Sequence, residues 1–228
     1  MGVKGAAIAT VISQFFSALF TVLFLFSKKV EVRLGIGGYD KKIIGKILLL
    51  GFSPFIIIAT DSVMILALNK VLRTYGGERA DELISAATIM LSFMQIITLP
   101  LGGISGGTQP ALSYNYGANR PDRVKKCEGW ILGSCILYTV VMFLVARFAA
   151  GGVMSIFTDD AALKAESVRF IKIYTLMIIP LAFQYALVDG LTGLGIAPVA
   201  ITLSLFRKLV LMLTLTLTLP RFFGVESV

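Results

Sequence analysis

The chain has 228 residues, of which 57% are hydrophobic, and its formal net charge is +8. An ordinary soluble domain is roughly 45 to 50% apolar, so this composition excludes a single soluble core and indicates that lipid solvates much of the side-chain surface. The sequence has no histidine, which excludes imidazole zinc sites and Ser-His or Cys-His nucleophilic pairs. The basic residues are scattered among polar connectors, which is typical of contact with anionic lipid headgroups and argues against a nucleic-acid partner. We therefore predict a membrane protein that is not an enzyme.

Hydropathy predicts six membrane-spanning helices, and hence an all-α integral membrane fold. A spanning helix needs about 20 mostly apolar residues. The windows that meet or approach this length are about 5–27, 47–69, 83–107, 129–146, 173–193 and 196–219. The whole chain, 1–228, then forms one membrane region, and we expect a multi-pass protein of the cell (inner or plasma) membrane.

Glycine and proline are concentrated at the end of the third window. Residues of these two types stand at Pro100, Gly102, Gly103, Gly106, Gly107 and Pro110. Membrane helices accept such residues where small side chains let two helices approach closely. They also accept them where a bent helix lines a cavity, and the sequence leaves both interpretations open.

A run that overlaps this cluster resembles a family signature. Residues 102–118, GGISGGTQPALSYNYGA, closely resemble the end of the eighth helix in the multidrug and toxic compound extrusion family. Two further stretches are similar to the same family: residues 2–10 resemble its sixth helix, and residues 75–77 resemble the segment before the eighth. Arg207 matches a position in the eleventh helix.

The resemblance implies an architecture and a function. Members of the family have twelve helices in two pseudo-repeated lobes, and this chain looks like helices six to eleven. Residues 5–27 would then be the last helix of the N-terminal lobe, and residues 43–228 an incomplete C-terminal lobe. Members export small organic compounds, often cationic and aromatic, by antiport of Na⁺ or H⁺. Because one lobe has no second bundle to move against, we expect a fragment of a longer protein, acting with a missing lobe or with a second copy of the chain.

Asp61 is the candidate for coupling transport to a cation. It lies in the middle of the second window, seven residues after Pro54, where a kink would admit water. A charged side chain at mid-membrane is expensive and marks a pathway, a relay or a structural pair. The carboxylate would bind Na⁺ or exchange a proton, and no other metal or cofactor is expected. The alternative is a structural pair with Arg207, Lys208 or a neighbouring amide.

The fifth and sixth windows carry the other intramembrane charges. Asp189 lies near the end of its helix, where a solvated or capping group is the simplest interpretation. Arg207 and Lys208 lie too far from a helix end to reach water by extending along the helix, so we predict structural ion pairs for them. Uncharged amides can bind a polar substrate without the desolvation cost of a charge. The amides that we select as candidates for lining a substrate cavity are Gln95, Gln109, Asn115 and Gln184, with hydrogen bonding between helices as the alternative.

Two alternative functions remain at this stage. A flippase for lipid-linked oligosaccharides has a related architecture, but it would need more cations in its cavity than Arg207 and Lys208 supply. The chain is otherwise an inactive, truncated half-transporter. The sequence does not identify the substrate, the oligomeric state or the coupling ion.

Overall fold

A computed structural model describes residues 2–26 and 37–224. The chain divides into two compact units, Met1–Gly45 and Lys46–Val228, which we describe separately. The connector residues 27–36 and the last four residues lie outside the described part, so the predicted end of the first helix at residue 27 is not tested.

The first unit contains one complete helix, α1, which spans Gly2–Leu25. None of the residues of its apolar stretch, Ala7–Leu25, is buried. Phe20 and Phe24 are one helical turn apart and their rings stack at 6.3 Å between centroids. An isolated helix satisfies its own backbone groups and needs no polar face in lipid, so an apolar surface all round is expected here.

The second unit consists of helices joined by short breaks. Its helices are α2 (Lys41–Tyr75, which begins in the first unit), α3 (Ala80–Gly107), α4 (Gln109–Gly117), α5 (Pro121–Phe148), α6 (Ala150–Met154), α7 (Ala161–Tyr174), α8 (Ile178–Gly193), α9 (Ala197–Leu205) and α10 (Thr214–Phe223). Short 3₁₀ turns at Gly77–Arg79 and Thr175–Met177 connect α2 to α3 and α7 to α8. A π-helical segment, Phe206–Leu213, joins α9 to α10.

Together with α1, these elements form six apolar helical stretches long enough to cross a membrane, among the described residues. The last of them, Ala197–Phe222, is called the last span. The predicted number and class of helices are therefore confirmed. Most stretches are longer than the windows, because hydropathy detects only the apolar middle of a helix. The largest difference at a single end is in the fifth, which begins at Ala161 and not at residue 173. There the Asp160 carboxylate caps α7 by accepting hydrogen bonds from the amides of Ala162 and Leu163 at 2.8 and 3.2 Å, a helix-start signal.

The third stretch is interrupted at Thr108, between α3 and α4. Pro110 at the start of α4 has no N–H to continue the backbone ladder. The Thr108 hydroxyl donates back to the carbonyls of Ile104 and Ser105, at 2.9 Å each. The glycine and proline cluster therefore does produce an interrupted helix.

The core of the second unit lies where α3 meets α5 and α8. One apolar cluster contains Met90, Phe93, Met94 and Ile97 of α3 with residues of α5 to α8, and the next contains Leu101, Ile131, Cys135, Ala182 and Ala186. Ala182 and Ala186 are one turn apart and fully buried. Small residues at this spacing let helices pack closely in a membrane. The side of α8 that carries Ala182 and Ala186 therefore packs against the core.

Candidate functional site

A cavity of about 370 Å³, which we call the polar cavity, lies between α2, α3, α4, α8 and the π-helical segment. Its lining includes six of the residues singled out from the sequence: Asp61, Gln109, Gln184, Asp189, Arg207 and Lys208. Residues three or four apart lie on one face of a helix. The spacing of Pro54, Ile57 and Asp61 on α2 therefore brings these side chains to the same space. On α8 the four-residue pairs are Gln184 with Val188 and Tyr185 with Asp189, and all four residues line the cavity.

Asp61 is paired with Lys208. The Lys208 ammonium lies 2.5 Å from Asp61 Oδ1 and also donates to the Ile57 carbonyl oxygen at 2.9 Å. The two partners differ in exposure, because 57% of the Asp61 side chain is exposed but only 8% of the Lys208 side chain. Lys208 thus fixes the last span to α2, while the carboxylate of the pair remains open to the cavity.

Asp189 bonds across the cavity wall to α3. Its Oδ2 accepts a hydrogen bond of 2.5 Å from the buried Ser105 hydroxyl. The Asp189 carboxylate is thus partly buried and bonded to a neighbouring helix, an environment that fits a structural role for this charge. Gly106 lies on the same wall, and a Cβ added to it would lie 3.9 Å from Asp189 Oδ2. A Cβ at Gly106 would therefore be in ordinary van der Waals contact with the Asp189 carboxylate.

Glu128 is a third carboxylate in this region, and the sequence does not single it out. It lies against the backbone of α8, where a Cβ added to Gly190 would be 2.7 Å from Glu128 Oε2. The predicted fourth window began at residue 129, so Glu128 was assigned to a connector. Pro121 is the signal that would have found it, because proline is favoured in the first turn of a helix, and α5 does begin there.

Gln109 marks the contact between α4 and α8. A Cβ added to Gly193 would lie 3.2 Å from Gln109 Cβ and 3.3 Å from Gln109 Cα. Beside this contact the Ser113 hydroxyl donates to the Gly193 carbonyl oxygen at 2.5 Å. At Gln109, the wall of the polar cavity is therefore a place where the backbones of α4 and α8 lie close together.

Arg207 and Gln184 are neighbours in the lining with unsatisfied polar atoms. Arg207 Nε and Gln184 Oε1 are buried and have no hydrogen-bond partner among the described residues. Buried polar groups are nearly always hydrogen-bonded, so these two atoms require an explanation. Among the described residues an ion pair is observed for Lys208, with Asp61 Oδ1 at 2.5 Å, and none is observed for Arg207.

Gln95 and Asn115 line neither this cavity nor the larger apolar one described below. Gln95 is exposed on α3. The Asn115 amide donates to the Ala111 carbonyl one turn earlier on its own helix, at 2.8 Å. A role for either amide in a substrate cavity stays a prediction, without support from these two cavities.

The carboxylates do not form a dedicated metal centre. Among the described residues no group of three or more His, Cys, Asp or Glu side chains is arranged to hold a metal ion. A sodium ion at Asp61 would therefore need amide, hydroxyl or carbonyl oxygens as further ligands, and the amides of Gln109 and Gln184 line the same cavity. A proton would need no ligand other than the Asp61 carboxylate.

A bundle of membrane-spanning helices that encloses a charged cavity is the architecture of a polytopic membrane transporter. The MatE family model matches residues 58–218. The chain therefore belongs to this family, the multidrug and toxic compound extrusion transporters that its sequence resembles.

Relatives and solved structures agree with this assignment. The multidrug export protein MepA of Staphylococcus aureus strain N315 is 26% identical over 176 residues, which are 76% of this chain and 38% of that protein. A crystal structure of MATE in complex with MaL6 has a TM-score of 0.87 at 20% identity, covering 99% of this chain and 51% of that one.

A second solved structure, the outward-facing conformation of a multidrug resistance MATE family transporter of the MOP superfamily, has a TM-score of 0.85 at 20% identity. It covers 100% of this chain and 51% of that one. The chain thus spans about half the length of the solved transporters and 38% of the length of the S. aureus relative. These comparisons do not favour the oligosaccharide flippase or the inactive half-transporter.

Proposed function

We propose that this chain takes part in the secondary active efflux of small organic compounds, coupled to the inward movement of Na⁺ or H⁺. The proposal is supported by membership of the MatE family and by a relative that is named a multidrug export protein. The chain would act in the cell membrane, together with the missing lobe or a second copy, because alternating access requires two bundles that move against each other.

One observation carries the coupling part of this proposal. The Asp61 carboxylate is 57% exposed while its partner Lys208 is nearly buried. A cation that enters the polar cavity can therefore reach Asp61 and compete with the ammonium group. Lys208 keeps the Ile57 carbonyl as a second acceptor, so its displacement from Asp61 leaves it one hydrogen bond.

The consequence is a link between cation binding and the contact of two helices. With Asp61 on α2 and Lys208 in the last span, neutralisation of the carboxylate weakens the bond that joins them. A ligand shifts a conformational equilibrium only by its difference in affinity for the two states. Competition with Lys208 supplies such a difference, because the cation binds best in the state where α2 and the last span have separated.

Cellular efflux tests this proposal. The full chain is expressed in a bacterial strain that lacks its own exporters, and the accumulation of ethidium is measured. We expect the wild-type chain to lower accumulation and Asp61→Asn to abolish the effect at equal expression. Asp122→Asn, an exposed aspartate at the start of α5, is the matched control and should behave as the wild type. Efflux by Asp61→Asn equal to that of the wild type would remove Asp61 from the mechanism.

A further inference from the structure

A second cavity of about 670 Å³, which we call the apolar cavity, is lined by residues of α3, α7, α8 and the last span. Apolar side chains form most of its wall, among them Met94, Met177, Phe183 and Met212. Arg207, Gln184 and Val188 line both cavities and therefore separate them. The volume is in the range of pockets for small organic molecules, about 300 to 1,000 Å³.

The wall of the apolar cavity carries one positive charge and no negative charge. Arg207 is the one ionisable side chain of its lining that is charged at neutral pH, and no carboxylate lines the cavity. The two carboxylates that line the neighbouring polar cavity already have partners, Asp61 in Lys208 and Asp189 in Ser105. Within the described part of the chain, Arg207 has neither an ion pair nor a hydrogen bond, and its Nε is buried.

Arg207 is half-buried, and its Nε is a buried donor without a partner among the described residues. Such a donor costs free energy, because the hydrogen bond that it made with water is not replaced. The sequence places it in the π-helical segment Phe206–Leu213, and such local widening of a helix is frequent at functional sites. The guanidinium presents a planar set of donors that matches a carboxylate, sulfonate or phosphate group. An anion that reaches Arg207 would supply the acceptors that the protein does not.

We propose that the apolar cavity binds an amphiphilic organic anion, with the anionic group at Arg207 and the apolar body among the methionine and phenylalanine side chains. The Gln184 side chain, whose Oε1 also lacks a partner, lies at the same end and would accept from a donor on the ligand. Methionine side chains adapt to varied apolar shapes, so the anionic group and not the shape of the body determines the selectivity. This inference rests on the proposed function only in taking the bound anion to be one of the exported compounds, and ethidium, a cation, would bind outside the apolar cavity.

Cations bind poorly to this cavity for the same reason. A cationic head placed beside Arg207 meets a like charge in a wall of low polarity, where electrostatic repulsion is stronger than in water. The apolar cavity and the polar cavity therefore accept opposite charges, and the coupling cation and the organic anion would occupy adjacent but separate spaces.

The test is equilibrium binding of three naphthalene probes to the full chain in nanodiscs of phosphatidylcholine, measured by titration calorimetry. The probes share one ring system and differ in charge: 1-naphthylacetate, 1-naphthylethanol and 1-naphthylmethyl-trimethylammonium. We expect the anion to bind at least about tenfold more tightly than the neutral probe, the usual contribution of a charge-assisted hydrogen bond. We expect the cation to bind more weakly than either. Equal affinities for the anionic and neutral probes would overturn the proposal.

Variants at Arg207 assign the effect to the guanidinium. Arg207→Gln should weaken naphthylacetate binding about tenfold and leave naphthylethanol binding within about twofold, whereas Arg207→Lys should retain part of the anion preference. Arg147→Gln is the matched control, because Arg147 lies over the Phe143 ring and lines neither cavity. An unchanged affinity of Arg207→Gln for naphthylacetate contradicts the proposal. If Arg207→Gln does not fold, the comparison of the three probes on the wild type decides.

Two further measurements separate related explanations. Nanodiscs with added phosphatidylglycerol should leave naphthylacetate binding intact, and loss of binding there would mean that the cavity takes a lipid and not a free organic anion. Binding is measured without an ion gradient, so naphthylacetate binding without efflux of ethidium would refute the proposed function alone. Efflux without selective binding of the anion would refute this inference alone.

Discussion

The helices of the second unit meet in two different ways. Where α3, α5 and α8 meet, buried apolar residues and small alanines fill the contact, and Phe93, Ile97 and Ala186 are at most 1% exposed. Where the first half of α2 meets the last span, a cavity separates the two helices. The bond of Lys208 to Asp61 and to the Ile57 carbonyl connects them there.

The difference indicates which contacts hold the fold and which can change. Close packing of apolar side chains resists small displacements, because each methylene group that loses its contacts costs free energy. A single ion pair at the edge of a water-accessible cavity contributes little to stability and responds to cations. Substitutions in the packed region should therefore lower stability, and substitutions at the α2 contact should alter transport.

The largest effect on stability is expected from truncation of the packed region. Phe93→Ala removes a side chain that is 1% exposed and should lower the free energy of unfolding by about 3 to 5 kcal/mol. Phe148→Ala, at a position that is 87% exposed, is the matched control and should have little effect. Thermal unfolding in detergent checks this, and equal losses for the two variants would contradict the assignment of the core.

A smaller loss is expected where two helix backbones approach. Gly193→Ala places a methyl group 3.2 Å from Gln109 Cβ and 3.3 Å from its Cα, so α4 must move away from α8. The expected cost is about 1 to 3 kcal/mol, read from the same thermal unfolding experiment. Gly133→Ala in α5, whose added Cβ meets no atom within 4 Å, should be neutral. A neutral Gly193→Ala would show that this wall of the polar cavity is not tightly packed.

The two partners at the α2 contact should differ in their effect. Asp61→Leu leaves the nearly buried Lys208 ammonium with one acceptor and should cost about 1 to 2 kcal/mol. Lys208→Met leaves an exposed carboxylate and should cost less than about 1 kcal/mol. The midpoints of thermal unfolding of the two single variants and of the double variant test this order. A larger loss of stability for Lys208→Met than for Asp61→Leu would contradict this order and would mean that the Asp61 carboxylate is buried.

The smallest effect is expected for the two ion pairs of Arg79, whose side chain is exposed. Its guanidinium lies 3.4 Å from Glu82 and 4.0 Å from Glu166. Arg79→Gln should cost about 0.2 to 1 kcal/mol, and the difference from the wild type should disappear at high ionic strength, because salt screens exposed charges. Unfolding measured at low and high NaCl tests this, and a difference that persists in salt would be a contradiction.

The sequence predicts the helices well and the contacts between side chains only in part. Continuous apolar runs determine the number of spans, since lipid requires about 20 such residues for each. Gln184 and Asp189 are five residues apart on α8, a spacing that does not by itself predict that both line one cavity. Which cation pairs with Asp61 depends on the rotation of one helix against another, and the π-helical segment that sets this rotation has no local sequence signal. Glu128 was missed because its helix extends beyond its apolar stretch.

The central claim is that a cation competes with Lys208 for Asp61 and thereby drives export. Transport into or out of proteoliposomes, with Na⁺ and pH gradients imposed one at a time, tests this most directly. We predict that one of the two gradients drives ethidium transport by the wild-type chain and by Asp122→Asn, and that neither drives it in Asp61→Asn. Gradient-driven transport by Asp61→Asn at the wild-type rate would contradict the claim.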